Sequence, residues 1–304
     1  MPWSRPQIQG HKALLGRRKT VPHRHRARGA STRRKLLVLA GLALTVGTRV
    51  PLSKADAAPQ EPPSIPDGMR PCTEPMPLPQ ALPHRAGEAI RYRVRLGGFE
   101  LGTIDFRVEH TRVVDGQTVA EYRSRFDLAG LVSTFIAVNG RATSLVAPEL
   151  GTTLKSLNTY RLARNRYVER KSFSKAGQRV RSRRTRNGKR TEAKRTFREP
   201  VRDLLTAFYM LRTLGAGDRG CTVVYDNQRA YTFWVEPEGQ ERVRTPIGRR
   251  PADRYGVIYG SEKSDRPLKG SVWLGKSELR LPYRAEIYGR RRLEARIEQL
   301  QLRQ

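Results

Sequence analysis

The feature that most constrains this chain is a period of two. Ile90, Tyr92, Val94 and Leu96 alternate with Arg91, Arg93 and Arg95. Such alternation puts the apolar side chains on one face of an extended strand and the guanidinium groups on the other. Ile104, Phe106 and Val108 repeat it against Asp105, Arg107 and Glu109, and the turn signals Gly97-Gly98 and Asp115-Gly116 separate the runs. Further strands are expected at 119–126, 141–146, 153–160, 222–225, 231–235, 241–245, 254–259, 270–274, 283–288 and 292–300. One segment has the other period. In PVRDLLTAFYMLRTLG, residues Val201, Leu204, Leu205, Phe208 and Leu211 make a helical stripe. Pro200 suits a first helical position and Gly215 the position just past the end. The layout is about six strands, one helix, then about seven strands. The expected fold is mainly β: a curved antiparallel sheet or half-open barrel wrapped around one α-helix at about 200–214.

The N-terminal region reads as an address rather than as part of that fold. Residues 1–35 are basic and hold no acid; an apolar run, 36–46, follows, and then Ala55-Asp56-Ala57. A basic region, a short apolar run and an A-x-A triplet predict a secretory signal over 1–57, cleaved between Ala57 and Ala58. The apolar run is shorter than the roughly 20 residues a bilayer needs, so no transmembrane segment is expected in the mature chain. Thr32-Arg33-Arg34-Lys35-Leu36-Leu37 fits the twin-arginine pattern. That route and general secretion both stay open. A Pro-rich leader over 58–86, with nine prolines, is expected to be an extended tether. Residues 87–304 are expected to form a single β-rich domain in the periplasm.

Export changes the meaning of the charge. The chain carries 60 Lys and Arg against 28 Asp and Glu, a net +32, which at first suggests a nucleic-acid binder. The signal segment removes +12 of it. Of the remainder, +14 sits in one block: residues 161–198 hold 16 Lys and Arg and two acids, Glu169 and Glu192. Turn signals at Ala176-Gly177 and Asn187-Gly188 fold the block into hairpins, with Arg179, Arg181 and Arg183 on one strand face. Arg179, Arg181, Arg183, Arg184, Arg186, Lys189 and Arg190 are the candidate anion-binding residues, since guanidinium forks suit phosphate and carboxylate. A plain solvated face that discourages edge-to-edge sheet pairing is the other reading. Only Tyr167, Phe173 and Phe197 lie in the block, few aromatics for base stacking, and no nucleic-acid partner is expected.

Two cysteines exist, Cys72 and Cys221. In an oxidising compartment they suggest a disulfide that staples the leader to the body; two free thiols are the alternative. Of five His, only His84 and His110 follow the signal, and no hydrolase, P-loop, dinucleotide or metal-ligand motif is present. No enzyme, cofactor or metal site is expected. For Arg202-Asp203 two readings stand: a buried pair lining a cavity, or an acid that favours the helix N-terminus.

Gly87-Glu88 entering IRYRV with Gly97 and Gly102 behind it, the helix VRDLLTAFYMLR, then VRTPIGRR, then VWLG…LRLPYRAEI, form an ordered set over about 85–304. Together they resemble the bacterial domain-of-unknown-function family 3108, proteins of the Gram-negative envelope. The resemblance implies a β-rich envelope domain and no mechanism. Where family members often have a Trp, a Ser and an Asp before LP, this chain has Trp273-Leu274-Gly275-Lys276-Ser277-Glu278. Two functions are expected to compete. One is a non-enzymatic exported protein that binds an apolar or anionic envelope component, such as a lipid, a glycolipid or another polyanion, in the concavity of its sheet. The other is a structural or scaffold protein of the envelope that docks partners through its basic hairpins. A cavity with apolar walls favours the first, and a filled core the second.

Overall fold

The structure, a computed structural model, describes residues 72–78, 82–114, 116–128, 138–261, 267–289 and 292–301. The signal segment, its Ala57/Ala58 junction and the first half of the leader lie outside the described residues. Nine strands precede the helix: β1 (Ala89–Leu96), β2 (Phe99–Val114), β3 (Gln117–Leu128), β4 (Val138–Ala147), β5 (Thr152–Leu162), β6 (Asn165–Phe173), β7 (Arg179–Arg186), β8 (Lys189–Thr196) and β9 (Val201–Arg202). The helix is α1 (Leu204–Leu211). Six strands follow: β10 (Gly220–Asp226), β11 (Arg229–Thr245), β12 (Gly248–Ser261), β13 (Leu268–Gly275), β14 (Pro282–Tyr288) and β15 (Leu293–Gln301). Nine and six replace the expected six and seven. The runs expected at 231–235 and 241–245 are one strand, because a bulge between Pro237 and Gly239 lets β11 keep its pairing with β12.

All fifteen strands join one sheet in the order β8-β7-β6-β5-β4-β3-β2-β1-β15-β14-β13-β12-β11-β10-β9. It consists of two antiparallel meanders stitched where β1 meets β15, Ile90 opposite Leu300, and the two-residue β9 departs from the expected antiparallel order by pairing parallel to β10. The sheet does not close into a barrel; its ends are β8 and β9. Side chains bring those ends together instead. Thr191 in β8 donates to Gln228 beyond β10 (2.9 Å). Phe173, Val180, Phe197, Val201 and Tyr225 bury themselves between the two ends. The turns are those the glycines predict: Gly98, Gly116 and Gly188 have φ of +91°, +72° and +85°, where a Cβ is strained.

The helix sits inside the curl. Leu205, Tyr209 and Met210 pack with Val108, Tyr122 and Val146 of the first meander and Val235, Tyr255 and Leu274 of the second. One core therefore bridges both halves through the helix. It is shorter than expected at both ends, stopping at Leu211 with Arg212 as its cap instead of running to 214. Val201 and Arg202 pair with Val223 and Val224 of β10, so their backbone is committed to the sheet. Asp203 then caps the helix by accepting from Thr206 N (3.0 Å). At the other end Arg212 makes a buried bidentate pair with Glu88 (2.6 and 3.0 Å) and donates to Leu279 O (2.8 Å).

The described half of the leader is part of this packing. Cys72 and Cys221 form the disulfide. Beside it Pro75 bridges to Cys221, and Met76 N donates to Cys221 O (2.8 Å). Met76 and Leu82 enter the central core. The tether ends in a segment held by burial, two strand-like hydrogen bonds and a covalent bond.

Candidate functional site

The curl of the sheet does not close fully on the helix. A cavity of about 250 Å3 remains between them. Its walls come from both meanders: Phe106 of β2 and Phe126 of β3 on one side, Val257 of β12 and Ile287 of β14 on the other. Leu204, Phe208 and Leu211 of α1, at i, i+4 and i+7, form its floor. These are three of the five residues of the helical stripe. They are only half-buried, and the fully buried side of the helix is the one carrying Leu205, Tyr209 and Met210. Phe208 lies flat on Phe106, with ring centroids 4.1 Å apart. Gly140 in β4 shapes the wall: a Cβ there would collide with the Phe126 ring and stand 2.7 Å from Tyr160 Cβ. The glycine lets Phe126 fold across the sheet. Pockets for small molecules usually span roughly 300–1,000 Å3, so this one takes a single chain or a ring, not a whole lipid.

Asp203, Asn158, Tyr160 and Asp226, polar groups at the cavity edge, are already engaged with neighbouring side chains. Asp203 accepts from Thr153 Oγ1 (3.1 Å), Thr206 Oγ1 (2.7 Å) and Ser144 Oγ. Asn158 donates to Asp226 (2.7 Å), and Tyr160 donates to Asn227 (3.1 Å). Lys171, wholly buried, donates to Asp226 (2.6 Å) and to Tyr225 O (3.3 Å), with Glu169 3.8 Å away. Glu169 in turn accepts the turn amides of Asn227 and Gln228 (3.0 and 2.9 Å). Burial pushes the Asp226 carboxyl up to about 6, against the pull of Lys171. Burial alone would lower Lys171; Asp226 and Glu169 outweigh it and hold it raised. With these groups engaged and most of the lining apolar, the cavity favours an apolar ligand.

Asp203 satisfies both readings offered for it, since it caps the helix and lines the cavity. Arg202 is buried but turned away, donating to Gly151 O (2.5 Å), Thr222 Oγ1 (3.0 Å) and Pro200 O (3.3 Å); burial lowers its guanidinium to about 10. The seven candidate anion-binding residues fall on two faces. Arg179, Arg181 and Arg183 point outward from β7, and Arg190 of β8 joins them. Arg184 and Arg186 lie over the Tyr167 ring on the other face (4.8 and 5.8 Å), and Lys189 stands opposite Arg186. The sequence reading missed Lys171 and Asp226 as a buried pair. The only signal was the alternation of Tyr167, Glu169, Lys171 and Phe173, which puts them on one strand face.

His84 Nδ1 donates to Leu82 O (2.8 Å) and stands 3.1 Å from Tyr122 Oη; burial lowers its imidazole. His110 is exposed beside Glu121 (3.4 Å). Neither lines the cavity. Among the described residues no helix is long and apolar enough to cross a membrane.

Residues 91–294 match the family described as "Protein of unknown function (DUF3108)". No curated protein matches the chain. Among solved structures it is similar to a β-barrel-like protein of domain of unknown function DUF1849 from Brucella abortus, at 9% identity and TM-score 0.49, covering 72% of this chain and 98% of that one. It is also similar to a protein with YmcC-like fold from Bacteroides fragilis, at 11% identity and TM-score 0.36, covering 73% and 99%. The hypothetical lipoprotein YmcC from Escherichia coli is similar at 9% identity and TM-score 0.30, covering 70% and 84%.

Proposed function

We propose that this chain, which belongs to the DUF3108 family of proteins of unknown function, is an exported, non-enzymatic envelope protein that holds the apolar chain of an envelope lipid or glycolipid between its sheet and its helix. The observation that carries the reading is the half-buried face of α1. Leu204, Phe208 and Leu211 pack against the core along one edge and turn the rest of their surface toward the cavity, so they stay half-buried. Protein interiors ordinarily fill such space. Burying apolar surface there contributes about 25 cal/mol per Å2 removed from water, so an alkyl chain gains by entering. The disulfide supports an oxidising compartment. The placement of His84 and His110 away from the cavity supports binding over catalysis.

The test is native mass spectrometry with lipid extraction on protein purified from the cells that make it. A co-purifying acyl-containing species is expected, and it is expected to be lost in an Ala142→Phe/Ala285→Phe variant, which adds rings from opposite walls. A circular-dichroism melt near that of the wild type shows that the variant folds. A clean ligand-free mass for the wild type would sink the reading and return the weight to a scaffold that docks protein partners.

A further inference from the structure

The outward face of β5–β8 is a cationic lattice. Residues directly opposite each other in the register share a face, and three rows run across the strands. Lys155, Ser172, Arg181 and Lys194 make the first. Leu157, Arg170, Arg183 and Glu192 make the second. Thr159, Val168, Thr185 and Arg190 make the third, continued by Arg141 of β4. Arg161 and Arg166 face each other beyond it. Glu192 is the one carboxylate in this array, shared by Arg181 (3.5 Å), Arg183 (3.1 Å) and Arg190. The other acid of these strands, Glu169, is turned inward and buried.

The same face of the same sheet is neutralised over β1–β3. Arg91 pairs with Asp105 (2.6 Å), Arg123 with Glu109 and Glu121 (3.3 and 2.6 Å), and Arg125 with Asp127 (3.3 Å). The excess over β5–β8 is therefore local. Like charges placed opposite one another, as Arg170 and Arg183 or Arg181 and Lys194 are, destabilise a sheet. Protection of the free edge needs charge on β8 alone, whereas this charge extends three further strands inward. The aromatic residues of these strands, Tyr160, Tyr167 and Phe173, are buried on the opposite face, so bases have nothing to stack on.

We propose that the outward face of β5–β8 docks this protein onto an anionic phospholipid surface. Its cations recur about 5 Å apart across the strands and roughly 7 Å apart along them, an open multipoint array spread over the outer face. Such an array matches a plane of phosphate headgroups better than one small anion. The guanidinium fork takes two phosphate oxygens at once, and Leu157, 37% exposed, sits among the charges where headgroups meet acyl chains. This reading does not rest on the cavity.

The test is flotation of the full chain with phosphatidylcholine vesicles, with and without one-third phosphatidylglycerol. The triple variant Arg170→Gln/Arg181→Gln/Arg183→Gln is set against a control, Arg91→Gln/Arg123→Gln/Arg125→Gln, that removes equal charge from the neutralised part of the face. Both carry the same N-terminal basic segment, whose contribution cancels. Binding to phosphatidylglycerol vesicles, lost in high salt, is expected for wild type and control. The triple variant should bind roughly 100-fold more weakly, since each Lys or Arg near the surface contributes about a factor of five. Equal weakening in both variants, no preference for phosphatidylglycerol, or binding to a soluble polyanion such as heparin but not to vesicles, would overturn the proposal. Unchanged melting temperatures exclude misfolding as the cause.

Discussion

The two faces of α1 solve different problems with the same residue types. On one, Leu205, Tyr209 and Met210 are almost fully covered, and Tyr209 stacks on Tyr122 with centroids 4.1 Å apart. On the other, Leu204, Phe208 and Leu211 are half-covered and look into the cavity. An eight-residue helix is too short to persist on its own. Here it is held at both ends and along one side: Asp203 caps its start, and Arg212, clamped to Glu88 and Leu279 O, anchors its end. With the helix secured by one face and its termini, the other face is free to remain uncovered. The cost of the cavity is offset by contacts made mostly away from it, at Tyr209, Met210 and the Arg212–Glu88 clamp.

The comparison breaks most severely at the clamp. Arg212→Ala leaves Glu88 as a buried charge without its partner, and a loss of about 3–5 kcal/mol in denaturant-measured stability is expected. Glu88→Gln/Arg212→Met should cost less than Arg212→Ala, because no buried charge then stands alone. A loss under about 1 kcal/mol for Arg212→Ala would show that the pair does not anchor the helix. Next come the faces themselves. Leu205→Ala should cost about 2–5 kcal/mol, through lost transfer energy and a new void. Leu211→Ala, which only enlarges an existing space, should cost less than half as much yet weaken retention of a bound chain. Equal stability losses at the two positions would mean that the faces do not differ.

The smallest effect is on pH dependence. Asp226 holds its proton to about 6 in the folded state, against an ordinary value of 3.8. Between those values the folded state binds more protons than the unfolded one. Its contribution therefore makes stability fall as pH rises from about 4 to 6. His84, lowered by burial, acts in the opposite sense, with stability rising as pH rises through 6.5. Lys171, Asn158, Glu169 and Asp203 surround Asp226 and are common to wild type and variant. The wild-type stability curve minus that of Asp226→Asn should slope downward over pH 4–6, by no more than about 2 kcal/mol. A flat difference curve would place Asp226 in an ordinary, ionised state.

Much of this architecture is legible in local pattern. Alternation at 90–96 and 104–108, the glycine turns and the single helical stripe follow from the geometry of one strand or one turn at a time. They are enough for a mainly β chain around one helix, and Cys72 with Cys221 suggested the staple. The start of the helix was not legible. Pro200 and Val201 look like its first turn, but β10, more than twenty residues on, takes the backbone of Val201 and Arg202 into the sheet. Lys171 looked like one of sixteen cations in a row. Only the approach of Asp226, 55 residues away, makes it a buried ion pair.

The sequence by itself determined which residues could share a face, because side-chain direction in a strand or helix depends on neighbours one to four positions away. It determined the sign and location of the charge as well. Tertiary structure alone decided which face of the helix is covered and which looks into the cavity, and that Arg184 and Arg186 lie over the Tyr167 ring. It alone joined Glu88 to Arg212 across 124 residues. The physical reason is that burial and pairing are properties of the space between distant segments, and the curvature that creates this space is set by all fifteen strands together.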